Sequence, residues 1–210
     1  VCAGASVLNQ QITHGEELLT RIAMAKTETG RVKLQSAATG SINAVIRQLT
    51  KESGIDAGDI CDACIAGNTV MAWLLLGRDP SPLELANAEI PREPAIVLAG
   101  TLGIAINPEA RVFCLPDVSR FVGGDAVGDV ITSGMHCSGE LSLIVDLGTN
   151  GEVILGNADW MASVSCASGP AFEGAGISSG MRAMSGAIDH VTIDPSTCAV
   201  AFTTIGGAKP

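Results

Sequence analysis

The chain has 210 residues, of which 47% are hydrophobic, and a formal net charge of −10 at pH 7. This length and apolar content are sufficient for a buried core, either in one large domain or in two small lobes, and they exclude a disordered chain. The negative charge disfavours nucleic acid and anionic membranes as sequence-independent partners, because phosphate groups attract basic patches. We therefore expect neither partner, and a phosphate ligand would have to be bound by local features.

Cysteine usage and the lack of targeting signals both indicate a reducing compartment. The seven cysteines are scattered and odd in number, which is typical of free thiols in a cytoplasmic protein. No secretory signal or membrane-spanning apolar run is visible. Cys61 and Cys64 form a Cys-x-x-Cys pair inside the apolar run from residue 60 to 66, where we expect small buried hydrophobes. No second pair has zinc or ferredoxin spacing, so we predict no metal cluster in this chain.

In the first half of the chain, helices are expected to alternate with strands. Apolar periodicity predicts them in the order helix 18–23, helix 42–49, strand 60–66, helix 69–76, strand 111–115 and helix 124–131. Gly54 is a plausible stop for the second helix, and Asn68 is expected to cap the third. The prolines between residues 80 and 94 predict an irregular connection.

The second half has the spacing of hairpins. Strands are expected at 141–145, 152–155, 160–165, 190–193 and 199–204. The glycine-rich segment 167–180 is predicted to carry a helix around 171–175, and Ser138-Gly139 resembles a boundary. Helices alternate with strands in the first half of the chain, and strands follow one another in the second half. Together these patterns predict an α/β fold with two lobes.

The stretch from Leu141 to Leu155 places a carboxylate and a polar turn between two apolar runs. The turn residues are Gly148, Thr149, Asn150 and Gly151. Glycine and asparagine permit close backbone approach, so several N–H groups can converge on an anion, and the threonine adds a hydroxyl. Asp146, at the predicted strand end, could hold a magnesium ion through its water shell. A polyphosphate would suit this combination, and an ordinary hairpin explains the same residues. Glu152 is less informative, because a position facing solvent would explain it.

Two further segments offer candidate site residues. Asp125, in the Gly-Gly-Asp sequence before the last predicted helix of the first half, fits an N-cap or first-turn position. Alternatively, it orients a water or a hydrated cation, which requires it to face Asp146 across a cleft. Ser168 and Gly169, followed by Pro170, could form a second anion cradle before the next helix. A simple strand-to-helix connector is the alternative for that segment.

Four segments in chain order resemble one family. They are GNTVM at 67–71, INPEARVFCLPDVSRFVGGDAVGD at 106–129, VDLGTNGE at 145–152 and ASGPAFEGAGIS at 167–178. They are similar to the ATP-dependent reductive activators of corrinoid proteins, whose ATPase core belongs to the ASKHA superfamily of acetate and sugar kinases, heat-shock ATPases and actin. The match extends in order along nearly the whole chain.

The resemblance implies an actin-like ATPase fold of two ribonuclease-H-like lobes with nucleotide between them. Residues 1–138 would form the first lobe without its first hairpin, and 139–210 the start of the second lobe with a phosphate loop. Asp125 would match the acidic residue of the helix that crosses between lobes, and Asn68 and Thr69 a cleft turn that places the acceptor in sugar kinases. The implied site has Asp125 and Asp146 as catalytic residues, and as nucleotide-binding residues Asp146, Gly148, Thr149, Asn150, Gly151, Ser168 and Gly169.

The function implied by the resemblance is energy coupling. ATP binding and hydrolysis, with Mg²⁺, would let an iron–sulfur centre outside this chain reduce a cobalt(II) corrinoid to cobalt(I). A corrinoid protein is then the expected partner, and a homodimer is left open. Because segments expected before Val1 and after Pro210 are not in the sequence, we expect the chain alone to bind nucleotide poorly and to transfer no electrons unaided. The alternatives are a non-catalytic docking module for a corrinoid protein and a small-molecule kinase of the same superfamily.

Overall fold

A computed structural model describes residues 1–15, 17–148, 150–169, 171, 174 and 177–209. The chain divides into two compact units. Unit 1 contains Val1–Ile144 and Ile154–Ser163, and unit 2 contains Val145–Val153 and Val164–Pro210. Helices and strands both occur, which confirms the expected α/β class. Within the described ranges, no helix combines the length and the apolar character needed to cross a lipid bilayer.

Five α-helices lie in unit 1, and the longest of them, α2, is capped at both ends. They are α1 Leu18–Ala25, α2 Glu28–Ser53, α3 Thr69–Leu75, α4 Ala99–Leu102 and α5 Gly124–Ser133, with short 3-10 helices at Gln10–His14, Ala57–Asp59, Ser81–Glu84 and Met135–Cys137. The Thr27 hydroxyl caps α2 by accepting a bond of 3.1 Å from the Gly30 amide. Gly54, with φ of 72°, ends α2 in the left-handed conformation, as the sequence predicted.

A three-stranded sheet in unit 1 packs one face against these helices. Its strands are β1 Asp62–Ile65, β2 Ala95–Leu98 and β3 Arg111–Cys114. The order is β1-β3-β2, with β1 parallel and β2 antiparallel to β3. Val112 and Cys114 on β3 are buried and belong to a core with Leu75 of α3 and Leu102 of α4. A second core joins α1, α2 and α3 through Ile22, Leu34, Val70 and Leu74.

A third cluster in unit 1 forms around the start of α5. Val122, Ala126, Met135 and Ile154 are buried together there. This packing supports the first turn of α5, on which one predicted site residue lies.

The second half of the chain is built from strands. They are β4 Ser142–Leu147, β5 Asn150–Gly156, β6 Met161–Ala167, β7 Ile188–Ile193 and β8 Val200–Thr204. The first three form a sheet of order β4-β5-β6, and the last two form an antiparallel pair with an irregularity between Ile188 and His190. All five expected strands are therefore present. The helix expected around 171–175 includes residues outside the described ranges.

One prediction about the cysteines is wrong. The run from residue 60 to 66 was expected to be a buried strand, yet β1 lies at the edge of its sheet and Cys61 and Cys64 are exposed. Successive side chains of β1 point to opposite faces of the sheet, so its residues alternate between exposed and half-buried, with Cys64 on the exposed face. Of the seven cysteines, all of which are described, Cys114 is the buried one. Two short elements, β2 and α4, were not predicted.

Candidate functional site

The predicted phosphate hairpin forms between β4 and β5 in unit 2. Asp146 is half-buried near the end of β4, and Gly148 follows that strand. Asn150 and Gly151 begin β5. Thr149 lies outside the described residues. Asp146 thus lies one residue before the end of β4, and two residues separate β4 from β5.

The structure brings this hairpin next to the second predicted cradle. A Cβ atom added to Gly151 would lie 2.5 Å from the Ser168 hydroxyl oxygen and 3.7 Å from the Asp146 carbonyl oxygen. Any side chain at residue 151 would therefore force the Ser168 hydroxyl to rotate away. The close approach of the two segments explains the glycine and places a hydroxyl beside the hairpin.

Gly169, which follows Ser168, has a backbone conformation that favours glycine. Its φ is +75°, a backbone conformation that residues with a Cβ adopt rarely. A Cβ there would meet no heavy atom of the described residues within 4 Å. A glycine in this conformation beside an exposed serine fits the backbone approach that an anion requires.

The burial of Glu152 was not predicted. The sequence interpretation allowed it to face solvent, but the structure shows it only 4% exposed. Its Oε1 accepts a hydrogen bond of 3.0 Å from the Ser165 hydroxyl on β6. The sequence contained a signal for this burial. Side chains at positions two apart on a strand share one face, so Glu152 lies on the same face of β5 as the apolar Ile154.

Asp125 lies in the first turn of α5, in unit 1. Gly123 holds the N-cap position, so an N-cap role for Asp125 is wrong and a first-turn role is right. The Asp125 Oδ1 accepts a bond of 2.9 Å from the Ala126 amide. Its own amide donates to the Gly67 carbonyl at 3.3 Å, which connects α5 to the turn before α3.

The turn before α3 uses its polar side chains internally. The Asn68 carboxamide caps α3, as predicted, by accepting a bond of 3.1 Å from the Val70 amide, and it donates at 2.9 Å to the Phe121 carbonyl. The Thr69 hydroxyl donates to the Ser119 carbonyl at 2.7 Å. Both side chains therefore hold the 119–121 loop against α3.

A buried carboxylate beside this turn was also missed. Asp117 is 8% exposed, and its Oδ2 accepts a bond of 3.1 Å from the Trp73 indole nitrogen. Its Oδ1 has no hydrogen-bond partner among the described residues. Burial raises the pKa of Asp117, the Asp125 carboxylate adds to that rise, and Trp73, Arg78 and Thr69 oppose it. Nothing local in the sequence distinguishes this aspartate from a solvated one.

The candidate site residues fall into two groups. Asp125 belongs to unit 1, and Asp146, Gly151 and Ser168 belong to unit 2. That Asp125 and Asp146 face each other across a cleft stays a prediction. Among the described residues, no group of three or more His, Cys, Asp or Glu could hold a metal ion.

Two family models together cover nearly the whole chain. Residues 1–138 match the RACo middle region, and residues 140–210 match the C-terminal domain of RACo, the ASKHA domain. The family resemblance read from the four segments is thereby confirmed.

Individual relatives agree with these matches. The chain is 35% identical, over 98% of its length, to the corrinoid activation enzyme RamQ of Eubacterium limosum. It is 28% identical, over 70% of its length, to the Co(II) methylated amine-specific corrinoid protein reductase of Methanosarcina barkeri. A solved structure named as a reductive activator for a corrinoid, iron-sulfur protein is 40% identical and superposes with a TM-score of 0.85 over 95% of the chain.

The chain spans about a third of these proteins. It covers 34% of the Eubacterium limosum protein, 29% of the Methanosarcina barkeri protein and 32% of the solved structure.

Proposed function

This chain belongs to the RACo family of corrinoid activators, and from that premise we propose that it couples ATP binding and hydrolysis to the reduction of a cobalt(II) corrinoid to cobalt(I). One electron passes to cobalt from an iron–sulfur centre outside this chain. Residues 1–138 and 139–210 contribute the first lobe and the start of the second lobe of the nucleotide-binding fold. The corrinoid protein is the partner that the activator serves.

A single contact carries the nucleotide part of this proposal. Gly151 of the hairpin lies so close to Ser168 that a Cβ would approach its hydroxyl to 2.5 Å. The hairpin and the Ser168-Gly169 turn are thereby adjacent within unit 2. Main-chain amides and a hydroxyl from two segments can then bind one polyphosphate, which is how glycine-rich loops bind phosphate groups.

The charge of the surrounding sequence supports a metal-bound nucleotide. No lysine or arginine occurs from Phe121 to Met181, whereas Asp146 and Glu152 are part of the hairpin. The negative charge of a polyphosphate therefore needs a cation beside it. Mg²⁺ would supply that charge and retain several waters, and Asp146 would hold it through them.

Asp125 has the second proposed role. Its Oδ1 is held by the Ala126 amide at 2.9 Å, so the carboxylate has a defined orientation at the start of α5. We propose that Asp125 orients a water molecule or the hydrated cation. This role requires Asp125 and Asp146 to border one cleft.

The cell compartment and further partners follow from composition. All seven cysteines are free thiols, which supports a reducing, cytoplasmic location. The net charge of −10 supports a protein partner rather than nucleic acid or an anionic membrane. A homodimer is compatible with these features and is tested by the mass of the protein in solution.

The decisive experiment is a calorimetric titration of the whole protein encoded by the gene. We expect ATP to bind only with Mg²⁺, and Asp146→Ala to weaken that binding by about 1.5 to 3 kcal/mol, the scale of a hydrogen bond to a charged group. The same variants are assayed for corrinoid reduction by visible absorption. Binding of ATP that is equally strong without a divalent cation, or no binding at all, would contradict the proposal.

Two other functions are separated by the same assays. If the chain is a non-catalytic docking module, replacing both Asp146 and Thr149 should leave the binding of the corrinoid protein intact and cobalt reduction unaffected. A small-molecule kinase would phosphorylate an added acceptor. The kinase is disfavoured by Asn68 and Thr69, whose side chains are hydrogen-bonded to Phe121 and Ser119.

A further inference from the structure

Glu152 is a buried carboxylate that the proposed chemistry does not use. It is 4% exposed, and a buried charge is costly unless hydrogen bonds or opposite charges stabilise it. The Ser165 hydroxyl provides one such bond at 3.0 Å. This buried carboxyl group lies in the hairpin, directly after Gly151.

Two contacts join the same pair of segments. Gly151 lies against Ser168, and the neighbouring Glu152 accepts a hydrogen bond from Ser165, three residues before Ser168. Ser165 belongs to β6, which ends at Ala167. The bond to Glu152 therefore fixes the end of the strand from which the Ser168-Gly169 turn departs.

Glu152 itself is poorly suited to contact the phosphates. Successive side chains of a strand point to opposite faces, so its side chain lies on the face opposite the one on which Ser168 approaches Gly151. A carboxylate would also repel a polyphosphate. We expect it to act on the anion site through its hydrogen bond with Ser165.

We propose that Glu152 is a positioning residue of the anion site, which holds Ser165 and thereby keeps the Ser168-Gly169 turn beside the hairpin. This inference rests on the proposed nucleotide site for its effect on binding. It also makes a claim about the protein without nucleotide, because the position of the turn does not depend on a ligand. A carboxyl group suits the task, since both of its oxygens can accept a hydrogen bond.

The test compares Glu152→Ala, Glu152→Gln and Ser165→Ala in the whole protein. We expect Glu152→Ala and Ser165→Ala to weaken Mg-ATP binding about tenfold, the scale of one hydrogen bond, because each removes the bond between Glu152 and Ser165. Glu152→Gln retains an acceptor and should bind within about threefold of the wild type. Ser163→Ala, which removes an exposed hydroxyl from the same strand, is the matched control and should have no effect.

Binding of adenosine separates positioning from a general loss of structure. Adenosine has no phosphate, so its affinity should stay unchanged in Glu152→Ala and Ser165→Ala if only the turn is displaced. Equal losses for adenosine and Mg-ATP would overturn the positioning role. Glu152→Ala that binds Mg-ATP as the wild type does would overturn it as well.

Hydrogen exchange of the nucleotide-free protein distinguishes this inference from the proposed function. We expect the amides of residues 166–169 to exchange faster in Glu152→Ala and Ser165→Ala, and at the wild-type rate in Glu152→Gln. Faster exchange in a protein that binds no nucleotide would contradict the proposed function and support the positioning role. Unchanged exchange in Glu152→Ala would overturn the inference whether or not ATP binds.

Discussion

The hydroxyl of Thr69 donates a hydrogen bond of 2.7 Å to the main-chain carbonyl of Ser119, which lies 50 residues later in the sequence. Thr69 has no exposed surface. The bond therefore connects the first residue of α3, whose side chain is buried, to the loop before α5, in which Ser119 is exposed. Its removal leaves the Ser119 carbonyl without that partner.

We expect Thr69→Val to reduce the free energy of unfolding by about 0.5 to 1.5 kcal/mol, the net contribution of a typical hydrogen bond. Valine keeps the shape of the side chain, so the loss reports the hydrogen bond. Thr69→Ser keeps the hydroxyl and serves as the control, with a smaller loss from the missing methyl group. Denaturant unfolding measures both. A Thr69→Val protein as stable as the wild type would show that the bond contributes nothing.

Asp117 should give the protein a distinct pH dependence. Burial raises the pKa of Asp117 above its ordinary value of 3.8, so the folded state holds the proton more tightly than the unfolded state does. Its contribution to stability is therefore fully present below pH 3.8 and is lost as the pH rises through the raised pKa. Asp117→Asn removes the titrating group and should remove this decrease.

The measurement for Asp117 is the free energy of unfolding across the acidic pH range. The Trp73 indole N–H, which donates to Asp117 at 3.1 Å, gives a second readout by NMR. In the wild type, the chemical shift of this proton should change with pH as Asp117 titrates. In Asp117→Asn, it should not change over the same pH range. Identical pH profiles for the two proteins would show that Asp117 does not titrate above its ordinary range.

Gly123 is expected to tolerate no side chain. A Cβ at this position would collide with the Thr69 amide nitrogen and the Gly67 carbonyl, both of which are backbone atoms that cannot move aside easily. We expect Gly123→Ala to destabilise the protein by about 1 to 3 kcal/mol, as overpacking does. Gly139→Ala is the control, because a Cβ at Gly139 meets nothing within 4 Å. Equal thermal stability of the two variants would contradict the close approach of α3 and α5.

Gly151 and Ser168 should be coupled in nucleotide binding. Gly151→Ala forces the Ser168 hydroxyl away from the hairpin, and Ser168→Ala removes that hydroxyl. Each change alone should weaken Mg-ATP binding by about 1 kcal/mol, the net value of a hydrogen bond. The double variant should be little worse than either, because both changes remove the same interaction. Calorimetry of all four proteins would show additive losses if the two residues act independently.

Much of the fold could be predicted because its signals are local. Asn68 caps α3, Gly54 ends α2 and alternating apolar residues mark β4 to β8, each of which depends on a few neighbouring residues. The hairpin with Asp146 and Gly151 was found for the same reason. Local signals specify backbone conformation, and they carry little information about what covers a side chain.

The errors concern burial, which depends on distant parts of the chain. Cys61 and Cys64 were expected inside, but β1 is an edge strand, and the edge position is set by how β2 and β3 pair. Glu152 and Asp117 were not recognised as buried, because their surroundings come from β6 and α3. The adjacency of Gly151 and Ser168 likewise depends on tertiary packing.

The position of Cys114 on β3 makes it an internal reporter of unfolding. Its sulfur is buried, whereas the other six cysteines are exposed, and burial also raises the pKa of the Cys114 thiol. A maleimide or iodoacetamide reagent should therefore modify six sites quickly and the seventh only when the strand detaches from the helices. The rate of that last alkylation, read by mass spectrometry, measures how often this core opens in the native protein.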